Sequence, residues 1–409
     1  MRIAILAVLA ACAAPPEETA PPSYHGDVAP ILAARCATCH TDGGLGPFPL
    51  ESYRQAAEVA DDIAWVTGRR IMPPWPADSS GSCGTYAGAR WLDADEIDTL
   101  ARWAAAGAPE GEPVTAAPVT GPPAQPFRAD ARLQADAPHT VAPGADEYRC
   151  FPVDLGLARD RYYTAISVAL DRADVVHHIQ LYAAQNARDD DDLAARDASD
   201  PAPGYACGPE GPGPLRYIGV WAPGDLVRRW ADDTGILLEA GRTVVMQIHY
   251  HNHGDTPVVD RTALDLELAD EVAEVGRIVS FAGLPLELPP GQAEVVVHGG
   301  RSISVTEPTF VRGVRLHMHR LGTRGGLELG RDLGGVEFDT CLLDIPRWDF
   351  DWQLFYQLAE PIVLEHGDRI HVTCAYDTRS RDATTVWGLG TEDEMCLGYT
   401  YLTSPPTPD

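Results

Sequence analysis

Apolar and polar positions divide the chain into two textures. Between Tyr24 and about Ala108 the apolar residues recur at helical spacing. Val28 to Ala34 is rich in Ala and Leu, Tyr53 to Val66 is amphipathic, and Asp93 to Ala106 opens on a capping Asp93 followed three residues later by Glu96. These runs predict one small all-α domain over residues 24–108. From Ala129 onward the pattern changes to short runs of strand character separated by Pro, Gly and Asp turns. They cover Tyr162 to Leu170, Val175 to Tyr182, Thr243 to His251, Ala263 to Leu268, Glu294 to Val297, Thr309 to Leu316, Gln353 to Gln357, Arg369 to Tyr376 and Cys396 to Leu402. Many short strands with almost no helical periodicity predict antiparallel β-sandwiches. The region is long for one sandwich, so the expected fold is mainly β, with two tandem jelly-roll-like sandwiches over residues 129–270 and 271–404. The stretch Asn186 to Gly204, with four consecutive aspartates at 189–192, reads as a solvated polar loop.

Two Pro-rich stretches, 12–23 and 109–128, read as a tether and a linker. Ahead of the first, Arg2 precedes an apolar run from Ile3 to Ala11 that is too short for a stable transmembrane helix, as in an export signal. Small residues immediately before Cys12 resemble a bacterial lipoprotein signal, which would remove residues 1–11 and acylate Cys12. The expected location is therefore the periplasm or cell surface, with membrane contact only through the lipid. A formal charge of −29 argues against nucleic acid and anionic membrane surfaces as partners. Every positive side chain is arginine, and without lysine neither Schiff-base chemistry nor a Walker-type phosphate loop is available.

Two constellations carry chemistry. Cys36-Ala37-Thr38-Cys39-His40 is C-x-x-C-H, the attachment signature of c-type haem. Two thioether bonds need cysteines about a helical turn apart, and the adjacent histidine then ligates the iron. Met72, in Ile71-Met72-Pro73-Pro74, is the expected sixth ligand, with His25 as competitor. The α region thus resembles class I c-type cytochromes.

The second constellation lies in the β region: His177-His178, His249, His317-Met318-His319 and Met395, five imidazoles and a thioether on separate strand-like segments. A thioether among imidazoles points to copper that cycles through Cu(I). Residues i and i+2 on a strand share a face, so His317 and His319 can hold one metal, with Arg315 on the same face. Neighbours such as His177 and His178 point apart on an ideal strand and converge only at a bulge or strand end. His249, His251 and His253 share one face, and residue pattern alone leaves the choice among them open. Export permits disulfides among Cys83, Cys150, Cys207, Cys341, Cys374 and Cys396, and periodicity does not choose the pairing.

Here a resemblance becomes specific. His177-His178-Ile179, Gln247-Ile248-His249-Tyr250-His251-Asn252, Arg315 through Gly322, His366-Gly367-Asp368 and Glu394-Met395-Cys396-Leu397-Gly398-Tyr399 are similar, in order over about residues 140–403, to the copper type II ascorbate-dependent monooxygenases. The resemblance implies that His177, His178 and His249 hold an electron-transfer copper, with His251 as second choice to His249. It implies that His317, His319 and Met395 hold the copper where oxygen reacts, and that Cys150–Cys207 and Cys374–Cys396 are disulfides. Cys83 and Cys341 match nothing in that pattern. Arg315 and Tyr399 match residues that grip a substrate carboxylate, but Leu397 stands where an asparagine is expected, so glycine-extended peptides are not the expected substrate. The implied activity is hydroxylation of a C–H bond in a small organic molecule by O2, with electrons from the fused haem, a periplasmic donor or an ascorbate-like reductant. The alternative is a non-catalytic copper-binding electron-transfer lipoprotein.

Overall fold

A computed structural model describes residues 20–42, 44, 46–112, 126–222, 227–390 and 392–406. The apolar N-terminal run, Cys12 and the centre of the second Pro-rich stretch lie outside the described residues. The chain divides into two compact units: Met1–Pro73 with Leu92–Pro123, and Pro74–Trp91 with Ala124–Asp409.

The first unit is helical, with α-helices Ala29–Arg35, Tyr53–Glu58, Ala60–Gly68 and Ala94–Ala105. Asp93 and Glu96 close the expected capping box, each side chain accepting the other's backbone N–H. The single helix expected over 53–66 is broken at Val59, whose φ of −124° and ψ of 23° leave the helical region. Leu32, Ile63, Leu100 and Trp103 meet in its core, and burial of side chains this size holds the short helices together.

The second unit is mainly β, as the alternation predicted. It has two apolar cores, one drawn chiefly from residues 133–268 and the other chiefly from 281–402. A nine-stranded sheet runs past both, because Glu274–Ala282 pairs in parallel with Thr234–Leu238 on one side and antiparallel with Leu397–Ser404 on the other. A five-stranded sheet adds Tyr205–Ala206, Asp146–Asp154, Thr243–His251, Val176–Ala183 and Arg216–Trp221, in that order. A four-stranded sheet orders Val295–Ser302, Arg369–Tyr376, Gly322–Asp332 and Glu337–Ile345.

Three expectations are corrected. The polar stretch after Asn186 is an α-helix, Ala187–Ser199, not a loop. The Asn186 side chain caps its first turn, the aspartates lie near the positive end of its dipole, and Asp190 pairs with Arg242 at 2.7 Å. The strand placed at 353–357 starts later, at Tyr356–Leu364.

Most consequential is Pro74–Trp91, expected within the α domain, which belongs to the β unit. Cys83 and Cys341 form a disulfide, resolving the two cysteines without a family match. Ala87 N–H donates to the Gln357 carbonyl at 2.8 Å and Ala359 N–H to the Thr85 carbonyl at 3.0 Å, so the segment adds a short antiparallel bridge to the sheet edge. Trp75 packs edge-on against Tyr356 at 5.1 Å, and Tyr86 donates to the Leu342 carbonyl at 3.1 Å. The expected Cys150–Cys207 and Cys374–Cys396 disulfides are also formed.

Candidate metal centres

The first set arises from two neighbouring strands. His177 and His178 begin Val176–Ala183, and His249 lies on Thr243–His251. The pairing runs His249 to His178 and then Tyr250 to Val176, so His177 is skipped. That bulge is what lets adjacent histidines serve one point. Ligand-capable atoms of His177, His178 and His249 all lie within 4.8 Å of one another, and the two neighbouring Nδ1 atoms are 3.0 Å apart. His249 Nε2 is taken by Asp146 at 2.6 Å, while its Nδ1 is buried with no hydrogen-bond partner. A buried imidazole nitrogen with no partner is costly, and a metal ion held by His249 Nδ1 together with His177 and His178 would remove the cost. Tyr148 stacks on His249 at 4.1 Å and 4°, fixing the ring plane.

The second set sits at the end of the strand Thr309–His317, which lies between Leu397–Ser404 and the edge strand Tyr356–Leu364. His317 closes that strand, His319 follows in the turn, and Met395 immediately precedes the Cys396 that leads into the paired strand Leu397–Ser404. His317 Nδ1 is held by the Gln353 side-chain oxygen, and His319 Nδ1 by the Asp393 carbonyl at 3.0 Å. Each ring therefore donates through Nδ1, which makes Nε2 the nitrogen that would carry a metal, the arrangement by which an outer partner sets tautomer and aim. Met395, 7% exposed, carries the soft donor.

Glu394 locks the second set together. Its buried carboxylate accepts the backbone N–H groups of His319 at 2.9 Å, Leu321 at 2.7 Å and Met395 at 3.2 Å. Burial pushes its pKa up to about 7, against the pull of those three donors. One side chain thus ties the turn bearing His319 to the segment bearing Met395.

A loop between Ile345 and Tyr356 touches both sets. Besides Gln353, it supplies Trp348, whose indole N–H donates to the His319 carbonyl at 3.0 Å, and Phe350. The Phe350 ring stacks on His177 at 5.7 Å and meets His319 edge-on at 6.1 Å. One phenyl ring therefore contacts a histidine of each set.

Arg315 is 7% exposed and faces Tyr399 at 5.8 Å, directly across the strand pair. Its Nε is buried without a partner, and among the described residues no carboxylate pairs with it. Tyr217 lies 5.8 Å from Tyr399. Burial, and then Arg315 itself, push the Arg228 guanidinium down to about 10.

All five imidazoles have their proton affinity lowered, burial being the first cause in each. Burial pushes His177 down to about 4, and lowers His178, His249, His317 and His319 as well. Neutral imidazole is the ligating form, and it persists until pH falls through the depressed pKa. Copper affinity of the first set should accordingly fall less between pH 7.5 and 5.5 than that of three ordinary histidines. Three ordinary histidines would lose roughly a thousandfold over that window. Competition titrations with a copper chelator at the two pH values measure this, and a thousandfold loss would show that the imidazoles titrate normally.

In the helical unit, Cys36 caps Ala29–Arg35, and His40 N–H donates to the Cys36 carbonyl at 2.9 Å, so C-x-x-C-H spans one helical turn. Both thiols are free, burial pushing that of Cys36 up to about 12. His40 Nδ1 meets the Phe48 carbonyl at 2.9 Å, which leaves Nε2 for a ligand. Free thiols and an aimed imidazole fit covalent haem. Met72 lies in the same unit, part-buried after Ala60–Gly68, while His25 is engaged with Glu110 at 3.4 Å.

Two histidine sets with unlike donors, one on the five-stranded sheet and one on the nine-stranded sheet, set the expectation that sequence comparison then meets. Residues 271–407 match the copper type II ascorbate-dependent monooxygenase, C-terminal domain. The chain is 25% identical over 247 residues to tyramine β-hydroxylase of Caenorhabditis briggsae, covering 56% of this chain and 39% of that protein. It is 28% identical to human DBH-like monooxygenase protein 1 over 55% of this chain and 38% of the relative. It is 25% identical to dog dopamine β-hydroxylase over 44% and 31%. Together these similarities support the copper type II monooxygenase family. The chain spans about two fifths of the length of the first of these relatives. Among solved structures, the major capsid protein P2 of bacteriophage PM2 aligns over 68% of this chain at 10% identity with a TM-score of 0.28.

The structure brings together His177, His178 and His249, and chooses His249 over His251. Asp146, Gln353, Glu394 and Phe350 were not found from sequence. Glu394 stood inside a quoted motif next to Met395, and that adjacency was the one available signal.

Proposed function

We propose that this protein is a copper-dependent monooxygenase that hydroxylates a C–H bond of a small organic substrate with O2. The carrying observation is the second set: both Nδ1 atoms meet protein oxygen acceptors, and Glu394 ties the backbone of the buried Met395 to that of His319. A simple carrier has no need for a second site of different donor type. His317, His319 and Met395 would hold a copper that supplies the oxygen chemistry, and His177, His178 and His249 would hold one that supplies an electron. The chain's own residues aim the imidazoles and lower their affinity for protons. Arg315, buried beside Tyr399 and paired with no acid among the described residues, supports a substrate that carries an anionic or strongly accepting group.

The free C-x-x-C-H cysteines support a covalent haem on Cys36, Cys39 and His40, with Met72 as the sixth ligand, feeding electrons to copper. A tethered donor acts at an effective concentration on the order of millimolar. An ascorbate-like reductant or a periplasmic donor would serve the same end. Residues 1–11 would direct export and Cys12 would carry a lipid.

Purified, copper-reconstituted protein should contain two coppers and one haem that survives denaturation. With ¹⁸O₂ and a panel of aromatic amines, peptides, acidic and lipophilic compounds, one label should appear per product. A single copper, a preference for zinc, or product without label would overturn the reading.

A further inference from the structure

Two histidines beside the first set have no role in the scheme above. His251 ends the strand Thr243–His251 two residues past His249, so the two side chains leave the same face. His251 is part-buried, His253 is exposed, and their rings lie 3.7 Å apart at 41°. Among the described residues neither ring takes part in a hydrogen bond or ion pair. Asp146 stands opposite His251 in the antiparallel register, is about half open to solvent, and holds His249 Nε2. The His251 ring also lies close enough to His177 and His249 for its charge to act on both. A line of imidazoles thus leads from solvent at His253, through His251, to the buried nitrogens of the first set.

We propose that His251 and His253 form a copper-capture site that loads His177, His178 and His249. The proposal rests on the copper reading above. Two adjacent imidazoles, one part-buried and one exposed, suit copper ahead of the other divalent first-row metals, but hold it less firmly than three more deeply set imidazoles. The ion is therefore drawn inward. Transfer is ligand exchange: a Cu–N bond forms at His249 Nδ1 as one breaks at His251, with no change in oxidation state and no proton moved. A chain charge of −29 raises the local concentration of cations that the capture site samples.

The test uses the full chain, stripped of metal, and Cu(II) supplied as its glycine complex. Uptake is followed by stopped-flow spectroscopy, and occupancy by electron paramagnetic resonance. His251→Gln with His253→Gln should still reach two coppers per chain, but should fill the first set about tenfold or more slowly. Filling of the second set should keep its rate, and a third, weaker copper bound by the unaltered protein should be lost. His253→Gln alone, at an exposed position that cannot unfold the chain, should slow filling in the same direction. Unaltered protein that takes no copper at the first set would sink the copper reading itself. Normal copper content with filling at the unaltered rate in both variants would overturn the capture site alone. Final content below two would also overturn it, by making His251 a ligand instead of a relay.

Discussion

Replacing Met395 with alanine is expected to leave copper at His177, His178 and His249 and to lower hydroxylation by at least about 100-fold. The backbone around the thioether is fixed independently of its side chain. Glu394 accepts the Met395 N–H, and Tyr376 O–H donates to the Met395 carbonyl at 2.8 Å. Truncation therefore removes the sulfur without releasing the segment, although the cavity costs about 2–5 kcal/mol of stability. Met395→Leu keeps the volume at a cost below about 1.5 kcal/mol and lacks the sulfur, so it separates donor from packing. Both variants should lose activity, and only the alanine variant should melt much earlier. Full activity in Met395→Leu would show that the oxygen site lies elsewhere.

Glu394→Ala is expected to destabilise the protein by about 3–5 kcal/mol. Three backbone N–H groups in the core lose their acceptor at once, at roughly 1–3 kcal/mol each before relaxation. Glu394→Gln, nearly the same shape, isolates the charge. Because burial raises the Glu394 pKa to about 7, the folded state favours the protonated acid more than the unfolded chain does. That contribution is present in full below about pH 4.5 and is lost as pH rises through 7. Denaturant unfolding of the copper-free protein should show the unaltered chain losing stability relative to Glu394→Gln across that window. A constant difference between the two from pH 4.5 to 8 would mean that Glu394 titrates normally.

What sequence made legible followed from local rules. The change from helical spacing to short strands placed the boundary between textures, and the Asp93–Glu96 box marked a helix start to the residue. His177 and His178 could share a metal only at a bulge, and the skipped register supplies it. The contacts that finish the sites are long-range and leave no local trace. Gln353 reaches His317 across 36 residues, and Asp146 reaches His249 across 103. Ala187–Ser199 was missed because four aspartates lower intrinsic helix propensity, while the Asn186 cap, the dipole and the Arg242 pair offset that. Pro74–Trp91 was missed because Pro, Gly and Ser describe a loop equally well on either unit. Only the distant partner Cys341 decides which.

The segment Pro74–Trp91 also bears on how such a protein could be assembled from parts. Since the helical unit is made of two stretches, with a piece of the β unit between them, the chain cannot be separated into modules by one cut. A shortened gene beginning at Ala124 would leave Cys341 without its partner and would strip Tyr86 and Trp75 from Tyr356. A working excision must keep 74–91 and rejoin it to the rest. In modular terms the helical unit is interleaved with its neighbour, and the two would be inherited, expressed and engineered as one piece.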